Sequence, residues 1–268
     1  MSLLLPFRRP LLASPLWTPA RINTVLWLDA ADASTITLNG SAVSQWNDKS
    51  GNALHISQST ATQQPAYTLS GLSNRNIITF NGTSDILFRT TDLDDLSTVS
   101  IFAVMRYISA SGQDLPMGVG STGATGAVRA MYRASGGTTQ GFAGWSRDVT
   151  SSAYSTDTGG EHHIFAGWNT ALSGTDHVFI GRDGLATAYT PSDGGTLNTT
   201  GAGFSVGSLR GALVATYYSN ISVAETIVLS TPPEVASRQR IEGYLAHKWQ
   251  LTSNLPNDHP FRVRPPRV

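Results

Sequence analysis

The sequence predicts an all-β protein, a sandwich or a barrel, with one α-helix near its C-terminus. Short apolar runs recur along the chain and are separated by Gly, Asn, Asp and Ser, which is typical of antiparallel strands joined by tight turns. This pattern favours a sandwich or barrel over βαβ units. The one marked helical pattern lies at about 232–249.

The predicted strands are short apolar runs that end at turn residues. Asn81-Gly82 and Asp183-Gly184 are turn signals, and the second pair favours a tight hairpin. The runs cover residues 25–28, 77–80, 99–107, 164–168, 177–180, 204–207 and 217–229. Between 109 and 160 the chain is rich in Gly, Ser and Thr, so we expect strands joined by long polar loops there.

The helical pattern has a start signal and one apolar face. Thr231 and Glu234 have the spacing of a capping box, which places Pro232 at the first helical position. The apolar stripe is formed by Ile241, Leu245 and Trp249 together with Tyr244. This stripe predicts that the helix packs by one side against the β-structure.

Composition excludes several classes of partner and site. Lys plus Arg and Asp plus Glu number 18 each, so the clustered positive charge that binds nucleic acid is not expected. The chain has no cysteine, which removes disulfides and thiolate metal sites and fits a reducing cytoplasm. No run approaches the roughly 18 apolar residues of a membrane-spanning helix, and residues 1–12 do not match a signal peptide, so we expect the mature protein to start near Met1.

The first 22 residues form a distinct proline-rich segment. Prolines at 6, 10, 15 and 19 forbid a helix and favour an extended arm. The arm is either a disordered tail or a segment that docks on a neighbouring subunit. The anchors for docking would be Leu11, Leu12 and Trp17.

Four segments resemble the phage-associated and bacterial branch of the concanavalin A-like lectin/glucanase superfamily, of the laminin G-like kind. They are LWLDAADASTIT at 26–37, QWNDKSGNALHISQ at 45–58, ITFNGTSDIL at 78–87 and RQRIEGYLAHKWQLTSNLPNDHPF at 238–261. The resemblance implies a jelly-roll sandwich of two antiparallel sheets over 23–261, with the C-terminal helix packed on its side. A basic tail, 262–268, follows.

Hydrolytic members of this superfamily carry two carboxylates on one strand in a Glu-x-Asp-x-x-Glu motif. The glutamates of this chain, at 161, 225, 234 and 242, do not stand in that motif. Because glycoside cleavage needs such a pair, the sequence predicts a protein that is not an enzyme. The six histidines show no metal-binding spacing, and His162 and His163 would point to opposite faces of a strand.

One loop raises the question of calcium. Asp48, Ser50 and Asn52 could offer oxygens to a hard cation. A single carboxylate with Ser and Asn is equally an Asx-type turn, and the absence of a second nearby carboxylate favours the turn. No cofactor is therefore expected.

Sugar binding calls for an aromatic platform beside amide, hydroxyl and guanidinium groups. The candidates are Tyr132, Arg133, Trp145, Arg147 and Asp148, in the loop-rich middle of the chain. The competing interpretation places Trp145 in the core and the arginines in solvent. It is favoured because aromatic side chains bury large areas.

The resemblance implies a virion structural protein, a capsid decoration or a tail or fibre-tip component, and the missing carboxylate pair makes it non-enzymatic. Its expected partners are other virion proteins and copies of itself, as a trimer, and host surface polysaccharide, with no nucleic acid and no membrane. Its expected location is the virion, assembled in the host cytoplasm. The alternatives are a carbohydrate-binding module of a receptor-binding or bacterial surface protein, and a divergent glycosidase.

Overall fold

Antiparallel strands dominate the computed structural model of the protein. It describes residues 14–89, 91, 93, 98–109, 113–120, 127–134, 139–144, 148–155, 160–170, 177–189, 203–209 and 217–268. The strands are β1 (Thr24–Asp29), β2 (Ile36–Asn39), β3 (Ala42–Trp46), β4 (Ile56–Ser57), β5 (Ala66–Leu72), β6 (Arg75–Asn81), β7 (Leu87–Phe88), β8 (Ser100–Tyr107), β9 (Asp114–Gly120), β10 (Val128–Arg133), β11 (Thr139–Ala143), β12 (Val149–Ser155), β13 (His163–Thr170), β14 (His177–Arg182), β15 (Leu185–Tyr189), β16 (Phe204–Val206) and β17 (Asn220–Leu229). One α-helix, α1 (Val235–Trp249), follows them. The predicted all-β class with a C-terminal helix is confirmed.

The strands form one continuous hydrogen-bonded network that is nearly closed into a barrel. In one run, β17 pairs on one side with β1 and with β6, which lie end to end. On its other side the order is β8, β13, β14 and β15. The second run follows the order β2, β3, β4, β7, β16, β9, β10, β11, β12. Strand β5 pairs with β6 of the first run, and the pair Ala42 and Ala66 joins β5 to β3 of the second run. Because this link joins all strands, the structure does not confirm two separate jelly-roll sheets.

Strand β8 shows how the network separates two apolar layers. Ile101, Ala103 and Met105 face the main core, whereas Phe102 and Val104 face a second cluster that contains the apolar side of α1. Side chains alternate between the two faces of a strand, so a strand covered on both faces is apolar at nearly every position. The unbroken apolar run predicted at 99–107 has this origin.

Helix α1 begins three residues later than the sequence predicts. The position before the helix is Glu234, and its side chain makes no capping hydrogen bond, so the predicted capping box is wrong. The reason lies in the two consecutive prolines: a proline disfavours the helical conformation of the residue before it, which holds Thr231 and Pro232 outside the helix. The helix ends at Trp249, where Gln250 takes a left-handed conformation with φ 59°.

The described part of the N-terminal arm packs on its own domain. Trp17 is 4% exposed and meets Tyr244 of α1 edge to face, with 6.1 Å between ring centroids. The Trp17 amide donates to the Pro266 carbonyl at 3.0 Å, and the Val268 amide donates to the Pro15 carbonyl at 3.0 Å. The described part of the arm therefore pairs with the basic tail, and Trp17, one of the three candidate docking anchors, contacts its own chain. Leu11 and Leu12 lie outside the described residues.

Within the residues that the structure describes, no helix combines the length and the apolar character needed to cross a membrane.

Candidate functional site

Arg133, a predicted sugar contact, lies in the core. Its guanidinium forms an ion pair with Asp114, and both side chains are buried. The guanidinium also lies over the ring of Tyr107, 5.4 Å from the ring centroid. A buried charge needs such a partner, and here the partner is internal to the protein. Arg133 therefore stabilises the interior and is not presented to a ligand.

Tyr132, next along β10, points to the opposite face and is also buried, at 7% exposure. Its hydroxyl accepts a hydrogen bond from Gln113 Nε2 at 3.0 Å. Its ring lies so close to Gly141 that a Cβ there would come within 2.6 Å of it. Burial, and then the negative charge of Asp148, raise the pKa of the Tyr132 hydroxyl.

Asp148 is exposed, and its Oδ1 accepts a hydrogen bond from the Gly144 amide at 2.9 Å. Trp145 and Arg147 lie outside the described residues. Of the five predicted sugar contacts, the structure thus brings Tyr132 and Asp148 near each other, and it places Arg133 in the core.

The Asp48 loop is an Asx-type turn. Asp48 Oδ1 accepts from the amides of Trp27 at 2.9 Å and Ser50 at 2.8 Å, and Oδ2 accepts from Ser50 Oγ at 2.6 Å and the Leu54 amide at 3.1 Å. Both oxygens are therefore engaged by donors of the chain itself. Over the described ranges, no group of three His, Asp or Glu residues has the arrangement of a metal site.

Two acids that are far apart in sequence meet where β1 pairs with β17. Asp29 and Glu225 are directly opposite each other in the register, and both are buried. Like charges in that position destabilise a sheet unless something neutralises them. Lys248 of α1 does so, because its Nζ lies 2.7 Å from Asp29 Oδ1 and 2.8 Å from Glu225 Oε2. Lys49 Nζ adds a second contact, 2.8 Å from Asp29 Oδ2.

Three further donors close this cluster around Glu225. Trp27 Nε1 and the Tyr244 hydroxyl donate to Oε1 at 2.7 and 2.9 Å, and Trp249 Nε1 donates to Oε2 at 2.6 Å. Burial raises the pKa of the Glu225 carboxyl, and the charge of Lys248 opposes that rise. Burial also raises the pKa of the Tyr244 hydroxyl far above its usual range.

The acid pair does not have the properties of a hydrolytic dyad. Glycoside cleavage needs one carboxyl group that can deliver a proton and another that can reach the sugar or a water molecule. Both Glu225 oxygens are already engaged by donors of the chain, and Asp29 is neutralised by two lysines. This cluster ties α1 to the sheet.

An open cleft lies on the outer face of the second run of strands, where β4 pairs with β7. Ile56 and Leu87 point into the main core, so their neighbours Ser57 and Phe88, which are paired across the strands, point outward. The cleft has a volume of about 370 Å³. Its lining consists of His55, Ser57, Ser59, Phe88, Arg89 and Thr91. We call it the Phe88 cleft.

The polar groups of the Phe88 cleft are held by local hydrogen bonds. The Asp48 amide donates to His55 Nδ1 at 3.0 Å, so the neutral ring carries its proton on Nε2 as a donor. Arg89 Nε donates to the Thr91 carbonyl at 2.9 Å, and both residues line the cleft with Phe88. The cleft therefore combines an aromatic ring with hydroxyl and guanidinium groups, as expected of a sugar site, and has an imidazole in place of the amide.

Sequence reasoning missed this cleft although one signal was present. Phe88-Arg89 is an aromatic–arginine pair, like Tyr132-Arg133. Which of the two pairs faces outward depends on strand pairing. The two-residue strands β4 and β7 are too short to be recognised by their periodicity.

Comparison with known proteins shows the fold. No family model matches the chain, and no curated protein matches it. Among solved structures, Trypanosoma rangeli sialidase in complex with sialic acid matches with a TM-score of 0.53 and 14% identity, over 84% of this chain and 33% of the sialidase. Domain 4 of AbnA, a GH43 extracellular arabinanase from Geobacillus stearothermophilus, in complex with arabinotriose, matches with a TM-score of 0.54 and 10% identity, over 82% of this chain and 98% of that chain.

These matches support a β-sandwich fold like those found in glycoside hydrolases. The chain spans about a third of the length of the sialidase, and at this identity the likeness concerns the fold. The prediction of a non-enzymatic virion structural protein is wrong by this comparison, because these structures are of glycoside hydrolases or a part of one. No match supports the phage-associated branch of the superfamily.

Proposed function

We propose that the chain is a carbohydrate-recognising domain of a glycan-active protein and that the Phe88 cleft holds the sugar. The observation that carries the proposal is the outward ring of Phe88 with Ser57, His55 and Arg89 around it. Apolar C–H faces of a sugar pack on an aromatic ring, and its hydroxyls exchange hydrogen bonds with the surrounding groups. A few placed polar groups around an apolar surface are typical of small-ligand sites.

The fold comparison supports this proposal. Domain 4 of the arabinanase matches this chain along 98% of its own length, and its structure contains arabinotriose. We further propose that the two strand runs correspond to the two layers of a concanavalin A-like jelly roll that have become linked at Ala42 and Ala66. The main core between the two runs supports this arrangement.

Calorimetric titration with arabinotriose and other neutral oligosaccharides tests the proposal. We expect Phe88→Ala to weaken binding about tenfold or more, since central aromatic anchors dominate ligand affinity. Leu69→Ala is the matched control, because Leu69 is an apolar residue that is 71% exposed on β5, away from the cleft. Equal affinity of wild type and Phe88→Ala for every oligosaccharide that binds, or no binding of any, would contradict the proposal.

A further inference from the structure

A second concavity lies on the other side of the molecule, along the outer face of α1. Its walls are the segments at 16–18 and 265–266, and its base is formed by Tyr244, His247 and Lys248. Its volume is about 430 Å³. We call it the helix groove. This size is in the range of small-ligand pockets, about 300–1,000 Å³, and suits one or two sugar rings better than a folded partner.

The charged groups of the helix groove are all basic. Arg75 at the start of β6 lines it with His247 and Lys248, and no acidic residue is among its lining residues. The charge of Lys248 is already balanced by Asp29 and Glu225. Arg75 and His247 have no carboxylate within ion-pair distance in the part of the chain that the structure describes.

Arg75 and His247 are each positioned by one hydrogen bond. Arg75 Nη1 donates to the Ser73 carbonyl at 3.1 Å, which leaves most of the guanidinium N–H groups for another acceptor. His247 Nε2 lies 2.8 Å from the Phe261 carbonyl, so a protonated ring offers its Nδ1–H as well. The arrangement is complementary to a carboxylate, the anion that a guanidinium binds through two parallel hydrogen bonds.

The helix groove has apolar surface at its base and on its walls. Tyr244 presents its ring, held edge to face between Trp17 and Trp27 at 6.1 and 6.3 Å. Pro265 and Pro266 lie among the lining residues, and Leu16 is 57% exposed there. A ligand that fits therefore has a compact apolar face together with a negative charge.

We infer that the helix groove binds the carboxylate of an acidic sugar, such as a uronic acid residue of a polysaccharide. This inference rests on the proposed function for the choice of a sugar over other carboxylates. The carboxylate pairs with the Arg75 guanidinium and, when the ring is protonated, with Nδ1–H of His247, and the sugar ring lies against Tyr244. The helix groove and the Phe88 cleft are then two separate sites, one for charged and one for neutral saccharide units.

Calorimetric titration with digalacturonate, and with its neutral counterpart galactobiose, tests the inference. The wild-type protein is expected to bind digalacturonate about tenfold more tightly than galactobiose, and this preference should shrink as NaCl rises from 50 to 500 mM. Arg75→Gln should weaken digalacturonate binding about tenfold. Phe88→Ala should leave it unchanged.

Leu16 provides a test that does not disturb the hydrogen bonds of the cations. Leu16→Glu should weaken digalacturonate binding, and Leu16→Lys should maintain or strengthen it, because the side chain is exposed at the rim of the groove. Equal affinity of these two variants, or wild-type affinity in Arg75→Gln, would overturn the inference. If a diglutamate peptide competed for the helix groove as well as digalacturonate does, the site would recognise charge alone. That result would also overturn the choice of a sugar.

The two proposals fail separately. If Phe88→Ala lost digalacturonate binding while Arg75→Gln bound it like wild type, the helix-groove site would be contradicted and the Phe88 cleft would stand. Binding of digalacturonate that depends on Arg75, without binding of any neutral oligosaccharide, would keep the helix-groove site and contradict the proposed function.

Discussion

His162 is a single residue that makes the stability of the protein depend on pH. Its ring is buried, its Nε2 lies 2.9 Å from Ser222 Oγ, and burial, followed by the positive charges of Arg106 and His163, lowers its pKa to about 4. In the unfolded chain an ordinary histidine pKa is about 6.5, so the unfolded state binds more protons between these values. Stability should therefore be complete above pH 6.5 and fall as the pH decreases toward 4.

The expected loss is about 3 kcal/mol in the free energy of unfolding across that window. Urea unfolding at pH 7 and pH 4.5 measures it. His162→Gln keeps a polar side chain that does not titrate, so its stability should change less between the two pH values. An identical change in wild type and His162→Gln would contradict this account of the residue.

Lys248 is the residue that makes the opposed pair of Asp29 and Glu225 tolerable. Lys248→Met keeps the length of the side chain and removes its charge, which leaves Glu225 without a cation opposite Asp29, while Asp29 keeps Lys49. Removing one partner of a buried ion pair typically costs about 3–5 kcal/mol. Loss of the opposing cation raises the Glu225 pKa further, so the penalty should be larger at pH 8 than at pH 5.

Chemical denaturation at both pH values measures this effect. Arg240→Met is the matched control, because Arg240 is an exposed cation on the same helix. We expect little change for the control. If both variants were equally stable, the buried cluster would not hold α1 to the sheet.

At the scale of elements, the contact between α1 and the C-terminal segment depends on a glycine. Gly243 lies inside the helix, and a Cβ there would come 2.4 Å from the Cβ of Phe261. Glycine to alanine in a helix usually stabilises by about 1 kcal/mol. Here overpacking should reverse the sign, with a net destabilisation of about 1 kcal/mol or more.

Thermal unfolding of Gly243→Ala and Ser237→Ala separates overpacking against Phe261 from the helix propensity of alanine on the same helix. Ser237 is partly exposed, so alanine there should be neutral or slightly stabilising. A Gly243→Ala variant as stable as wild type would show that Phe261 does not pack on α1 as closely as the structure has it.

The sequence was informative where local chemistry decides an element. The Asp-Gly pair predicted the β14–β15 hairpin, and both residues take positive φ values, 52° at Asp183 and 89° at Gly184. The apolar stripe of Ile241, Tyr244, Leu245 and Trp249 correctly predicted the side on which α1 packs. By contrast, the start of α1 depends on two prolines in succession, and the Phe88 cleft depends on the pairing of β4 with β7, which periodicity cannot indicate.

At the scale of the whole molecule, the resembling segments explain why function was predicted wrongly. Several of their polar residues are engaged inside the fold: Asp29 and Lys248 belong to the buried cluster around Glu225, and Asp48 closes a turn on β1. Such a motif therefore reports a shared framework. The segment at 45–58 also contains His55 and Ser57 of the Phe88 cleft, but Phe88 and Arg89 lie beyond the resembling segment that ends at residue 87.

The most direct test of carbohydrate recognition at the Phe88 cleft is an NMR titration of the isotope-labelled protein with arabinotriose. The account predicts that the largest changes in amide chemical shift occur at His55, Ser57, Phe88 and Arg89, and that they disappear in Phe88→Ala. Changes centred on Tyr132 and Asp148 would place the sugar at another face. That result, or a spectrum unchanged at millimolar arabinotriose and other neutral oligosaccharides, would contradict the account.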